Sequence, residues 1–121
     1  MADSGTLSTT AQVLLAIGKE ASADQILEAN TNIWILMAEA EMEMYAGNNV
    51  GLVANYSSIP TALQQWLALV SSHRAGFFAI NQDQNNWGLS TTQSKLNVCD
   101  SIWQDFLVKI KDKDIIADLG L

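Results

Sequence analysis

The sequence predicts an all-α fold, a small bundle of about four helices with extended N- and C-terminal arms. Two observations carry this. Apolar residues recur at three- and four-residue spacing over long stretches, which lines them up on helix faces. Helix-start residues (Thr9, Ser22, Ser58, Ser90) and helix-stop residues (Gly18, Gly47) bracket those stretches. At 121 residues the chain reads as a single domain with room for a real core.

Residues 1–8 read as a loose or partner-ordered arm. Thr9 and Thr10 can cap a first short helix, AQVLLAIG, which stops near Gly18. Ser22 with Gln25 reads as a capping box, with Asp24 favourable in the first turn of a helix over 23–46. In that helix Ile26, Ala29, Ile33, Met37, Ala40 and Met44 form one stripe, widened by Trp34 and Leu36, and this stripe is expected to face the core. Gly47 ends it, and a loop over 47–58 offers Val50, Leu52, Val53 and Tyr56 to the body.

The most informative stretch is 59–80, IPTALQQWLALVSSHRAGFFAI. Ser58 caps it, and Pro60 enters in the first turn, where its missing N–H costs nothing. Leu63, Trp66, Leu67, Val70, Phe77 and Phe78 share one face, and Arg74 falls in phase with them. A charge on an oily seam is expensive unless it is paired or reaches water. Two readings stand: a stem that packs while the guanidinium snorkels, or a register-fixing salt bridge to another helix or subunit, with Glu39, Glu43 and Asp105 as partners to test. This helix is expected at the centre of the bundle. After the polar loop NQDQNNWGLS, Ser90 and Gln93 make another capping box. The last helix carries Leu96, Cys99, Ile102, Trp103, Phe106 and Ile110. Residues 112–121 form an apolar tail behind a charged link.

Composition excludes several function classes. Charged residues are 16%, against roughly 25% in an ordinary soluble domain. Such a neutral surface suits a chain that faces protein in an assembly. The net charge is −7, and Lys19 and Arg74 are the only bases before residue 84, so no basic stripe exists to grip nucleic acid. One cysteine permits no internal disulfide, and Cys99 on an apolar face is expected to be a buried structural thiol. The opening MADSGTLSTT has neither the basic residue nor the apolar core of a signal peptide, and no apolar run approaches the ~18 residues of a membrane span.

Catalytic constellations are sparse. Glu39 and Glu43 share a helix face and could hold a metal, but no E-x-x-H spacing accompanies them. His73, the single histidine, has no acid within three positions and reads as a hydrogen-bonded residue at the core's edge. No phosphate-binding glycine loop occurs. The expectation is no enzyme, no cofactor and no metal. Glu39 and Glu43 then become candidates for an acidic subunit interface, joined by Arg74 and by Trp87, a tryptophan in a polar loop. Ile115, Ile116, Leu119 and Leu121 are candidates for a docking tail, because chain ends are normally polar and frayed.

These elements resemble the small helical head–tail connector, or adaptor, proteins of tailed bacteriophages. VLLAIGKEASADQILEANTNIWILMAEAEMEMYAG is similar to that family's short helix, acid-capped turn and long second helix. Pro60 through Val70, followed by Arg74, is similar to its proline-initiated helix, and the closing amphipathic helix and tail fit the same plan; Trp66 stands where a small residue is usual there. The likeness spans most of residues 11–111. It implies a structural virion protein at the head–tail junction, assembled in the host cytoplasm. Copies would form a ring, a dodecamer, between the portal protein and a downstream tail or neck protein. The ring would extend a channel through which DNA passes without specific binding, with the tail docked on the portal and no membrane involved. The competing expectation is a small acidic helical binding or regulatory module that acts as a dimer on a basic protein partner. A metal-dependent helical enzyme using Glu39 and Glu43 is a distant third.

Overall fold

The structure, a computed structural model, describes residues 5–18, 25, 27–46, 51–82 and 89–111. Among them the chain forms four α-helices: α1 (Thr10–Ile17), α2 (Glu28–Ala46), α3 (Thr61–Gln82) and α4 (Leu89–Lys109), with a 3-10 turn at Tyr56–Ser58. Helix α3 packs against each of the other three, so it is the axis of the bundle, as expected. Val50, Trp87 and residues 112–121 lie outside the described residues, as does the Ser22 end of the predicted capping box.

Local chemistry accounts for the helix ends. Thr9 Oγ1 accepts from Gln12 N while Gln12 Oε1 accepts from Thr9 N, a closed capping box at the start of α1. Gly18 ends that helix at φ 94°, in the left-handed region that glycine enters without strain, and its N–H returns to Leu14 O. Pro60 lies just ahead of α3 and its carbonyl accepts from Leu63 N and Gln64 N, so it starts the ladder without needing a donor of its own. Helix α4 begins at Leu89, one residue before Ser90, so Ser90 lies inside the first turn and is not the cap that the sequence predicts.

The core is two apolar clusters strung along α3. One contains Leu7, Met42, Leu52, Ile59, Leu67, Val70, Trp103, Phe106 and Ile110. The other contains Val13, Ile17, Trp34, Ile35, Ala38, Ala75, Ala79, Ile80 and Cys99. The stripes predicted for α3 and α4 supply Leu67, Val70, Trp103, Phe106 and Ile110 to the first cluster; in the second they supply buried Cys99 and partly buried Phe77, Phe78 and Leu96, while Ala75, Ala79 and Ile80, outside the predicted stripe, take the core positions of α3. Leu52 of the loop is fully buried as expected, with Val53 and Tyr56 packed beside it. At Gly76 a Cβ would come within 3.3 Å of Ala16 Cβ, which is why α1 can lie so close to this part of α3.

Two expectations are corrected. The described part of the N-terminal arm bends at Thr6 and Leu7 and is not loose. Leu7 is buried in the first cluster, its N–H and that of Thr6 both donate to Glu39 Oε1, and Ser8 Oγ bonds Ser71 Oγ at 2.9 Å. An apolar residue and two unpaired amides are a poor arm for solvent, and the body supplies partners for all three. The second correction concerns α2. Its buried side is Thr31, Asn32, Trp34, Ile35, Ala38, Glu39 and Met42, whereas Ile33, Leu36, Met37 and Met44 are 55%, 47%, 47% and 65% exposed. Helix α2 is apolar on both sides, so periodicity alone could not choose between them. The side that goes inward carries the polar atoms its neighbours require: Glu39 for the arm, and Thr31 Oγ1, which donates to Gln25 O and Leu27 O.

Glu39→Ala should therefore leave two amides without an acceptor and cost about 1–3 kcal/mol in urea unfolding. Hydrogen exchange at Thr6 and Leu7 should accelerate more than exchange in α3.

Candidate functional site

The place where this fold concentrates charge is the C-terminal half of α2, where Glu39, Glu41 and Glu43 alternate around the helix. Residues two apart on a helix point in nearly opposite directions, so the three carboxylates serve three different elements. Glu39 is only 4% exposed and clasps the arm. Glu43 Oε1 accepts from Val53 N at 2.7 Å and holds the loop that follows the helix. Glu41 reaches α3 on the other flank.

There Glu41 Oε2 lies 2.8 Å from Arg74 Nε, with the two side chains 30% and 16% exposed. This settles the partner of Arg74. It is Glu41, and not Glu39, Glu43 or Asp105; Asp105 instead makes an exposed pair with Lys109 on its own helix at 2.9 Å. The arginine is paired within its own chain and is also caged. Its guanidinium carbon stands 4.5 Å from the Trp103 ring centroid, 4.9 Å from Phe78 and 5.1 Å from Phe77. Planar guanidinium faces suit aromatic surfaces, and partial desolvation strengthens the attraction. The rings extend the site into the core: Trp103 stacks on Phe106 at 5.3 Å, Phe106 meets Trp66 at 5.7 Å, and Tyr45 sits edge-on to Trp103 at 5.9 Å. A residue count places Arg74 in the seam; only the fold shows which aromatics surround it.

The other chemistry-bearing residues are dispersed. His73 Nδ1 bonds Leu69 O at 2.9 Å within its own helix. Cys99 is buried, and desolvation pushes its thiol from an ordinary 9.0 up to about 11, against a smaller downward pull from Lys95. Lys95 Nζ donates to Ile17 O, placing a cation at the C-terminal end of α1 where the helix dipole favours it. Among the described residues no three His, Cys, Asp or Glu side chains gather as metal ligands, since the Glu39 and Glu43 carboxylates turn to backbone amides instead. No described helix is long and apolar enough to cross a membrane. Of the interface candidates, Arg74, Glu39 and Glu43 are thus engaged inside the chain, while Trp87 and the tail residues Ile115, Ile116, Leu119 and Leu121 lie outside the described residues.

What the sequence reading missed is the surface. Ile33, Leu36, Met37 and Met44 make an uncovered apolar stripe on α2, and Leu15 and Leu69, 82% and 46% exposed, flank a groove of about 320 Å³ between α1 and α3. The stripe's spacing was legible; the side on which it lies was not.

Arg74→Ala should destabilise the fold by about 1–3 kcal/mol, because it removes the guanidinium's ring contacts and its charged hydrogen bond to a Glu41 that still reaches water. A double-mutant cycle with Glu41→Ala should return a coupling of about 1–3 kcal/mol. Stability should fall as pH rises from 9 towards 11, because the unfolded thiol loses its proton before the buried one does. Cys99→Ala should remove that part of the pH slope in urea titrations.

Compared with known proteins, the chain matches no protein family, no curated protein and no solved structure.

Proposed function

We propose that this chain is a non-catalytic assembly subunit, and that the assembly is the ring of a tailed-phage head–tail connector. The observation that carries the first part is the bare stripe of Ile33, Leu36, Met37 and Met44 on a helix whose Glu39, Glu41 and Glu43 turn to other tasks. A contiguous apolar patch on a small domain marks a surface that another protein covers. The low share of ionised residues fits a subunit that spends its life walled in by neighbours.

The second part rests on the sequence resemblance of the stretch Val13–Gly47 and of Pro60 through Val70 with Arg74 to the connector family. In this reading the bundle is a rigid wedge. The Arg74–Glu41 pair keeps α2 and α3 in register so that every copy offers the same surface to the next, and residues 112–121 reach the portal. The acidic balance keeps the assembled passage from holding DNA by charge, since like charges do not stick.

The test is binding to the portal protein encoded beside this chain's gene, followed by negative-stain imaging and sedimentation. The full chain should add a ring to the portal, and a chain ending at Lys111 should bind it at least tenfold more weakly. The absence of a portal gene nearby, or a stable two-chain species that captures a basic protein instead, overturns the connector reading in favour of the acidic dimer.

A further inference from the structure

The geometry points to a second role for the seat of the N-terminal arm. It is a recognition slot for a short bent peptide of the pattern Gly-x-Leu-Ser, held shut by the chain's own Gly5–Ser8. When the arm lifts, the slot takes such a segment from another protein. The inference is independent of the connector reading.

The groups that line the slot have no other occupation. Glu39 on α2 and Ser71 on α3 are 4% and 0% exposed. Among the described residues, the amides of Thr6 and Leu7 are the only hydrogen-bond donors to the Glu39 carboxylate. Ser8 Oγ, 2.9 Å away, is likewise the only partner of the Ser71 hydroxyl. A buried carboxylate and a buried hydroxyl are costly unless a matching chain satisfies them. Two helices thus hold polar groups in place for a segment that belongs to neither.

The arm is read position by position. A side chain at Gly5 would displace Ile35, which is fully buried. Thr6 is read only by its N–H, and its side chain is exposed. Leu7 gives an N–H to Glu39 and a 1% exposed side chain to the first cluster. Ser8 gives its hydroxyl. These are features that a segment of another chain also carries.

The arm can leave without unseating α1. Val13 and Ile17 hold that helix in the second cluster, and its capping box closes between Thr9 and Gln12, beyond the arm's last contact at Ser8. Thr9 is therefore the joint between two separately held pieces. A segment fixed by a few side-chain contacts, outside any helix, opens locally before the whole molecule unfolds. While seated, the arm competes at an effective concentration on the order of millimolar, so an outside peptide binds weakly until the arm is unseated. A second copy is a poor donor, because its Ser8 is followed directly by a helix packed on its own body, with no spacer to reach across.

Peptide binding to the full-length chain tests this. The probe is acetyl-GTLST with fluorescein at its end, and the double variant Leu7→Gly/Ser8→Gly unseats the arm. Circular dichroism should show that variant still helical. In fluorescence anisotropy it should bind the probe at least tenfold more tightly than the unaltered chain does. Methylating the amide nitrogens of the probe's first threonine and leucine should weaken that binding at least tenfold, as should adding Glu39→Ala to the variant. A helical variant that ignores the probe, or binds the methylated one equally well, overturns the inference. Excess unaltered chain should leave the anisotropy high; a fall would make a second copy's arm the occupant and overturn the assignment to another protein. If the variant does not fold, hydrogen exchange of the unaltered chain decides. The Thr6 and Leu7 amides should exchange at least tenfold faster than those of Leu67 and Val70, at a rate indifferent to low urea. Exchange at the rate of global unfolding would mean that the arm does not lift, and would overturn the inference.

Discussion

One caged ion pair links the two halves of this molecule's core. Arg74 stands on α3 between two apolar clusters, in contact with Trp103 of the first and with Phe77 and Phe78 beside the second, and Glu41 of α2 neutralises it. Without a polar partner the cation would be a wedge driven into the seam. With one, it becomes the piece both clusters share. Hydrophobic packing alone tolerates sliding of one helix past another, since one leucine substitutes for the next. A fixed charge with one acceptor and three rings does not, so it selects a register at some expense in desolvation.

The neighbouring glutamates extend this logic. Placed at alternate positions, Glu39, Glu41 and Glu43 tie α2 to the arm, to α3 and to the loop after it. These three acids, which a composition count would assign to the surface, are internal fasteners instead. That leaves the outer side of α2 with apolar residues and little charge, a consequence of where the carboxylates were needed.

Much of this architecture is legible in the sequence, for a physical reason. Helices α3 and α4 each have one dominant apolar side, with Leu69, Val98 and Val108 left exposed outside it, so their periodicity finds much of what is buried; Leu67, Val70, Trp103, Phe106 and Ile110 all lie where the spacing puts them. Helix α2 has two, and periodicity cannot weigh Ile33 and Met37 against Ile35 and Met42. The choice is made by tertiary demands, the arm's amides and the cation of Arg74, and these appear only when distant segments meet. The same holds for Arg74's partner. Facing Glu39 and Glu43 as a pair draws attention away from Glu41, although the flank Glu41 occupies is the one that α3 approaches.

Both clusters recruit the last helix, Cys99 for one and Trp103, Phe106 and Ile110 for the other, while Leu7 and Val13 come from the first turns of the chain. During synthesis, then, the first residues can meet Glu39 and Ser71 on α2 and α3, but neither cluster is complete until the last helix arrives. The early helices have no finished interior to join on the ribosome. Such long-range closure slows folding and makes it a single late event, leaving the nascent chain's oily segments in need of shelter until the final turn is released.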